Sequence, residues 1–361
     1  MRCCGMRWLI VAGGLSLASF GQGITPIPRD PLELVTGQIT AVDTAASRGP
    51  VLQLLARART NYAVRSAGQG YDLKVAFMVN SGGQTDYDGP WEMEDMFDPQ
   101  QGFRWTAKAG AAYTTTQIAL KQAHYGEGTG NVIPLRLQEA RAALFDPIPS
   151  GNLDRVLIRT STASFNGAEV TCVLLSTSGN AAAAGRRWDE SEECIDARSG
   201  LLQVHSQAPG RYYAYDYLDA PQFAGHMLPR KVIVTEAGKT VSEIRVESLA
   251  ALPSADPALF VPSEEMKARG AAVAMAGAQK ISRFSAPGPL PPGATVQPVC
   301  VFGLVTPSGQ LVEAHSLQPS DPNSQAAVDA AKQIKFPIPA QPGARPQQYF
   351  VFVIEKFVSS R

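Results

Sequence analysis

The residues of this 361-residue chain best able to bind metal or act as nucleophile or base are its five cysteines and four histidines. Cys3 and Cys4 precede an N-terminal apolar run. Cys172 falls in a predicted strand at Glu169–Leu175, Cys194 opens a hairpin that leads to Leu201, and Cys300 lies in a strand near the C-terminus. In an oxidising compartment Cys172 and Cys194 would pair and staple a loop holding the charged stretch Ala181–Glu193. Two buried thiols are the alternative, because spacing does not determine connectivity. Cys300 is then a buried free thiol. His124, His205, His226 and His315 are scattered, with no partner at ligand spacing. The sequence has no H-E-x-x-H, C-x-x-C or G-x-S-x-G, so zinc, dithiol and α/β-hydrolase chemistry lose their usual handles. The expectation is a protein with no catalytic residue, no metal and no cofactor.

Other polar clusters have structural readings. Asp86, Asp88, Glu92, Glu94 and Asp95 suggest calcium or paired carboxylates, but Trp91, Met93 and Met96 alternate with them, as on a strand with one wet face. The run Asp189–Glu193 reads as a solvated loop. Gly126-Glu127-Gly128-Thr129-Gly130 is not followed by the lysine and hydroxyl of a phosphate loop, and is a turn. Asp43-Thr44-Ala45 has no second triplet with which to share a proton, and also reads as a turn. Tyr213, Tyr215 and Tyr217 share one strand face, while Tyr212 points the other way. They either line an apolar cavity or pack in a sheet.

These residues need elements to position them. The length allows two domains with separate cores. With 45% apolar and 18% charged residues, the composition is that of a folded soluble protein, and a formal net charge of zero argues against nucleic acid as a partner. From residue 267 onward nine Lys and Arg face four acidic residues, so the end of the chain is basic. Arg2 and Arg7 followed by the apolar run Trp8–Phe20 form a signal peptide, 1–21, cut after Gly21. The run is shorter than the roughly 20 residues of a spanning helix. A periplasmic or secreted protein follows from cleavage, and a retained anchor is the minority reading.

Residues 22–50 form an extended, proline-bearing leader. Leu52, Leu55 and Ala56 predict a helix over Val51–Tyr62, stopped by Gly68 and Gly70. Alternation then predicts a strand at Tyr71–Val79 and a meander at Gly89–Met96, Gly102–Ala109 and Ala112–Leu120. A helix is expected at Pro134–Leu144. Strands follow at Arg155–Thr160, Ala168–Ser176, Leu201–Ser206, Arg211–Leu218, Leu228–Thr235 and Val241–Leu249. Glu236-Ala237-Gly238-Lys239 makes the hairpin turn between the last two. The fold class is therefore α+β, a long antiparallel curved sheet wrapped on helices. Residues 267–298 read as a linker, first alanine-rich and weakly helical, then Pro/Gly-rich at Pro287–Gly293.

Residues 299–361 give strand, turn, strand, helix (Ser324–Ile334) and a last strand, Tyr349–Val358. With Gly303-Leu304-Val305, Gly309-Gln310-Leu311-Val312, Lys332-Gln333-Ile334-Lys335-Phe336 and the final Tyr349-Phe350-Val351-Phe352-Val353, this stretch resembles the C-terminal domain of TonB-type energy transducers. The Tyr-Pro element, membrane helix and long rod of that family are missing, so the resemblance implies partner docking rather than energy transfer. A strand edge at Tyr349, Val351, Val353 and Glu355 would accept the partner. Over 51–266, the opening helix, Gly102-Phe103-Arg104-Trp105, the hairpin Cys194–Leu202 and Asp256-Pro257-Ala258-Leu259-Phe260 resemble LolA-like periplasmic lipoprotein carriers. That resemblance implies an apolar or lipid-like ligand in the concave sheet.

Together these readings describe an exported, non-enzymatic envelope protein. Its sheet domain binds an apolar ligand, and its last domain docks to an envelope protein or cell-wall component. A weak homodimer is a further expectation. The alternatives are a secreted hydrolase with a site assembled from distant residues, and a membrane-anchored truncated transducer.

Overall fold

The computed structural model describes residues 35–36, 38–81, 87–121, 123–129, 132–177, 186–270, 276–284, 295–306, 308–337 and 349–359. The expected signal peptide with Cys3 and Cys4, most of the leader, Asp86 and the Pro287–Gly293 run lie outside them.

Two short strands, β1 (Val35–Thr36) and β2 (Thr40–Ala41), precede helix α1 (Ala45–Tyr62). A first meander holds β3 (Tyr71–Val79), β4 (Gly89–Asp98), β5 (Gly102–Ala109), β6 (Tyr113–Ala119) and β7 (His124–Gly128). Helix α2 (Leu135–Phe145) leads to β8 (Leu157–Phe165), β9 (Ala168–Ser176), β10 (Ser191–Ile195), β11 (Leu202–Ala208) and β12 (Arg211–Asp216). A small hairpin, β13 (Gln222–Phe223) and β14 (His226–Met227), is followed by β15 (Lys231–Glu236) and β16 (Lys239–Ala251). Helix α3 (Glu264–Arg269) then precedes β17 (Ala276–Phe284), β18 (Thr295–Val305), β19 (Leu311–Ser316), helix α4 (Ser324–Lys332) and β20 (Tyr349–Ser359).

The large sheet has fourteen strands in the order β1-β8-β9-β10-β11-β12-β15-β16-β3-β4-β5-β6-β7, with β2 also on β8. Its pairings are antiparallel, so the expected α+β class with a long antiparallel sheet is present. The alternation of β3 buries Tyr71, Leu73, Val75, Phe77 and Val79 on one face. That face meets the two helices: Leu55, Ala58 and Tyr62 of α1, and Leu137, Ala140 and Leu144 of α2, share one apolar core with it. Helix α1 begins at Ala45 rather than Val51, because Thr44 and Ser47 cap it reciprocally through side chain and backbone. Pro50 sits inside the helix, where it removes one backbone donor.

In the smaller sheet the order is β17-β20-β18-β19. One face of β18 and β20, with Val299, Val301, Val351 and Val353, packs on Ala327 and Ala331 of α4. The other face, with Phe302, Phe350, Phe352 and Ile354, packs on Leu135 and Ala208 of the larger unit. Burial on both faces explains why Tyr349–Ile354 is apolar at every position rather than alternating. The two units meet closely at Gly210, with φ near +87°. A Cβ there would lie 2.5 Å from the carbonyl oxygen of Leu317.

Two expectations are corrected here. Part of the segment read as an alanine-rich linker is strand β17, parallel to β20 with Gln279 opposite Val351 and Ile281 opposite Val353. In consequence the strand holding Tyr349, Val351, Val353 and Glu355 is not an edge: β17 covers one side and β18 the other. Its backbone donors and acceptors are already shared with two neighbours. Alanine-rich composition had favoured a helix, but pairing to β20 decides the conformation.

Candidate functional site

Across β9, β10, β11, β12 and β15 one register row reads Val173, Glu193, His205, Tyr213, Val234. The alternation turns this row toward the face that carries α1 and α2, so a carboxylate and an imidazole lie on the helix-covered side of the sheet. Glu193 is fully buried and its Oε2 lies 2.7 Å from His205 Nδ1. Its Oε1 is buried with no hydrogen-bond partner. Burial pushes the Glu193 carboxyl up, against the opposing pull of His205.

The tyrosines complete this interior. Tyr213 and Tyr215 are buried, and Tyr217 packs at the margin of the same core. The Tyr213 hydroxyl accepts from Arg211 at 2.8 Å. Tyr217 donates to the carbonyl of Leu202 at 2.8 Å and shares a short hydrogen bond with Tyr62 of α1. Tyr62 also stands edge-on to Tyr215, centroids 6.2 Å apart. The hydroxyl of Tyr215 is buried and has no partner. Desolvation raises all of these phenols, so they stay protonated donors at any ordinary pH. Expected either as cavity lining or as packing, the three tyrosines are packed against protein neighbours, with two unused polar atoms, Glu193 Oε1 and Tyr215 Oη, left among them.

Helix α1 covers this interior. Only Leu55, Ala58 and Tyr62 of its eighteen residues are buried. Half-buried Val51, Leu52 and Leu54 pack against the same core, and polar contacts add to the hold, with Arg48 donating to the carbonyls of Leu153 and Val156, Arg57 to Ala197 and Asn61 to Gly200.

A second cluster, not foreseen from the sequence, joins the two units. Arg136 and Glu139 of α2, Arg211 of β12 and Glu236 of β15 are all buried. Arg136 donates twice to Glu236, at 2.8 and 3.1 Å, and once to Glu139 at 2.8 Å. Arg211 donates to Glu236 at 2.8 Å and makes a short contact with Glu139. From β19, His315 Nε2 lies 3.1 Å from Glu236 Oε2, and Phe302 of β18 lies under the Arg211 guanidinium at 5.0 Å. Two guanidinium groups thus balance two carboxylates. Burial alone would raise the Glu236 carboxyl, but Arg136 and Arg211 outweigh it and hold it well below the usual carboxylate range. The signal available beforehand was the Arg136/Glu139 pair one helical turn apart; Glu236 was hidden in what reads as an ordinary hairpin turn.

The remaining sequence candidates fall outside these clusters. Cys172 and Cys194 sit opposite each other on β9 and β10 and form a disulfide, packed with Val170, Val204 and Tyr212 on the outer face. Cys300 is buried and is in no disulfide among the described residues. In the acidic run, Asp95 is not on the wet face as expected but on the inner one. It accepts from Tyr71 at 2.7 Å, Arg141 at 2.9 Å and Arg65 at 3.0 Å. Asp189–Glu193 is likewise less solvated than expected, since Glu190 takes a bidentate pair from Arg159 at 2.7 Å and Glu192 lies 3.0 Å from Arg186. Among the described residues no helix is long and apolar enough to cross a membrane.

No protein-family model matches the sequence, and no curated protein matches it. Among solved structures, a DUF1329 family protein from Desulfovibrio piger is 10% identical, with 59% of this chain and 97% of that one covered at a TM-score of 0.37. MucB is 13% identical, covering 73% and 76% at 0.27. LprF from Mycobacterium bovis is 9% identical, covering 57% and 95% at 0.22. At these scores the likenesses carry no argument about activity.

Proposed function

We propose that the chain is an exported, non-enzymatic envelope protein that holds an amphiphile beneath α1. In this reading an apolar tail enters the aromatic interior and a hydrogen-bonding head meets Glu193 and Tyr215. The observation that carries the reading is the pair of buried atoms left without partners, Glu193 Oε1 and Tyr215 Oη. Each costs about 1–3 kcal/mol unsatisfied in a protein interior, a cost that a ligand head would remove. Helix α1, packed over this interior through Leu55, Ala58 and Tyr62, is the cover in this reading. A disulfide between Cys172 and Cys194 agrees with an oxidising compartment after signal cleavage. The C-terminal unit, β18-β19-α4-β20 in TonB-like order, is proposed as the docking element for an envelope protein or cell-wall partner. With β20 enclosed, any added strand would have to pair at β17 or β19.

The test uses the mature protein stripped of bound lipid and titrated with a fluorescent long-chain acyl amide. Tyr215→Phe removes the orphaned hydroxyl. It should raise the melting temperature of the empty protein and weaken acyl-amide binding. No binding by the wild type, or a Tyr215→Phe variant that binds unchanged, would end the proposal.

A further inference from the structure

Between the two sheets lies a cleft of about 720 Å³, separate from the tyrosine-lined interior under α1. One wall is the end of β3 with the β15–β16 hairpin, and the other is β19 with α4. That volume falls within the roughly 300–1,000 Å³ of small-ligand sites. Its lining includes a single carboxylate, Glu236, whose charge is taken up by Arg136 and Arg211. Two lysines also line it: Lys239 from the hairpin turn and Lys332 from the last turn of α4. Both are exposed, and neither makes an ion pair among the described residues. The cleft therefore carries uncompensated positive charge.

Two further polar features line the cleft. With Nε2 of His315 held by Glu236, its Nδ1 is buried and has no partner. At the other end, α4 starts at Ser324 with no acidic residue in its first turn and no side-chain cap, and the Asp321 carboxylate just before it accepts from the backbone N–H of Asn323 at 2.8 Å. Ser324 and Ser316, hydroxyls 3.3 Å apart, line the cleft there. Ser324 and Lys332 are eight residues apart on one helix, or about 12 Å along its axis. A single compact anion cannot engage both ends.

We propose that this cleft binds an extended oxyanion carrying at least two phosphate or carboxylate groups. Lys239 and Lys332 supply the charge, and the start of α4 supplies backbone donors. Because the walls belong to different sheets, the bound anion also clamps the two units together.

Titration calorimetry with inorganic tripolyphosphate and with triglutamate separates phosphate from carboxylate, with orthophosphate as the compact reference. At least one extended probe should bind more tightly than orthophosphate. Lys239→Gln and Lys332→Gln should each weaken that binding by about tenfold, as expected for loss of a charge-assisted contact. Lys108→Gln, whose ammonium is paired with Glu92 at 2.9 Å on β4, should leave it unchanged. Absence of binding by both extended probes, equal binding of orthophosphate, or an equal loss in Lys108→Gln would each overturn the assignment.

Discussion

Replacing Glu236 by glutamine removes one charge from a buried polar cluster and changes little in shape. Glu236 accepts two hydrogen bonds from Arg136 and one from Arg211, and it faces His315 at 3.1 Å. The variant leaves two buried guanidinium groups with Glu139 as their sole carboxylate. Breaking a buried ion pair from one side costs about 3–5 kcal/mol, a large part of the roughly 5–15 kcal/mol that holds a domain folded. Urea unfolding followed by circular dichroism and tryptophan fluorescence measures the loss. The pH dependence supplies an independent check. The carboxyl is held well below its ordinary range, so its stabilisation is complete above that range and disappears as the pH falls through the depressed value. Wild type and variant should therefore differ most at neutral pH and converge in strong acid. Replacing Arg136, Glu139, Arg211 and Glu236 together by apolar residues of similar volume should recover much of the loss. A cost below about 1 kcal/mol for Glu236→Gln at neutral pH would refute the assignment of this cluster as the tie between the units.

Three further outcomes follow from the geometry. Cys172→Ala/Cys194→Ala opens a loop of 22 residues and should cost about 3 kcal/mol by chain entropy, measured by urea unfolding without reductant. Gly210→Ala places a Cβ 2.5 Å from the Leu317 carbonyl at a left-handed position, and should cost about 1–3 kcal/mol. Proteolysis should then cleave the C-terminal unit first, and uniform protection would argue against strain at that contact. Glu193→Gln removes a carboxyl whose folded pKa is raised by burial. Such a group favours the folded state below its unfolded pKa and loses that contribution as pH rises through the folded value. The melting temperature of the variant relative to wild type should therefore rise from pH 5 to pH 8.

The strands were legible where one face is wet. Tyr71–Val79 alternates in sequence and in burial alike, and the helix expected near Pro134 forms within a residue of its place. Charge was a poorer guide. Asp95 and Glu236 look like surface residues because a carboxylate usually is one, yet each is buried by arginines that lie far away in the chain. Strand β17 escaped notice because its alanines and glycine match no strand pattern, and only its partner β20 fixes it. The orphaned Glu193 and Tyr215 atoms depend on cross-strand register, which periodicity within one strand does not determine.

The place of β3 has a consequence for how the chain is made. It is the first long strand to emerge, yet its neighbour β16 is the last of the large sheet, pairing Tyr71 with Ala251 and Val79 with Ser242. Until that late strand arrives, the first meander presents an apolar face and an open edge, the combination most prone to pairing with another chain. The large sheet closes along a seam between its first long strand and its last strand, and any delay in synthesis between residues 80 and 239 lengthens the time for which that seam stands open.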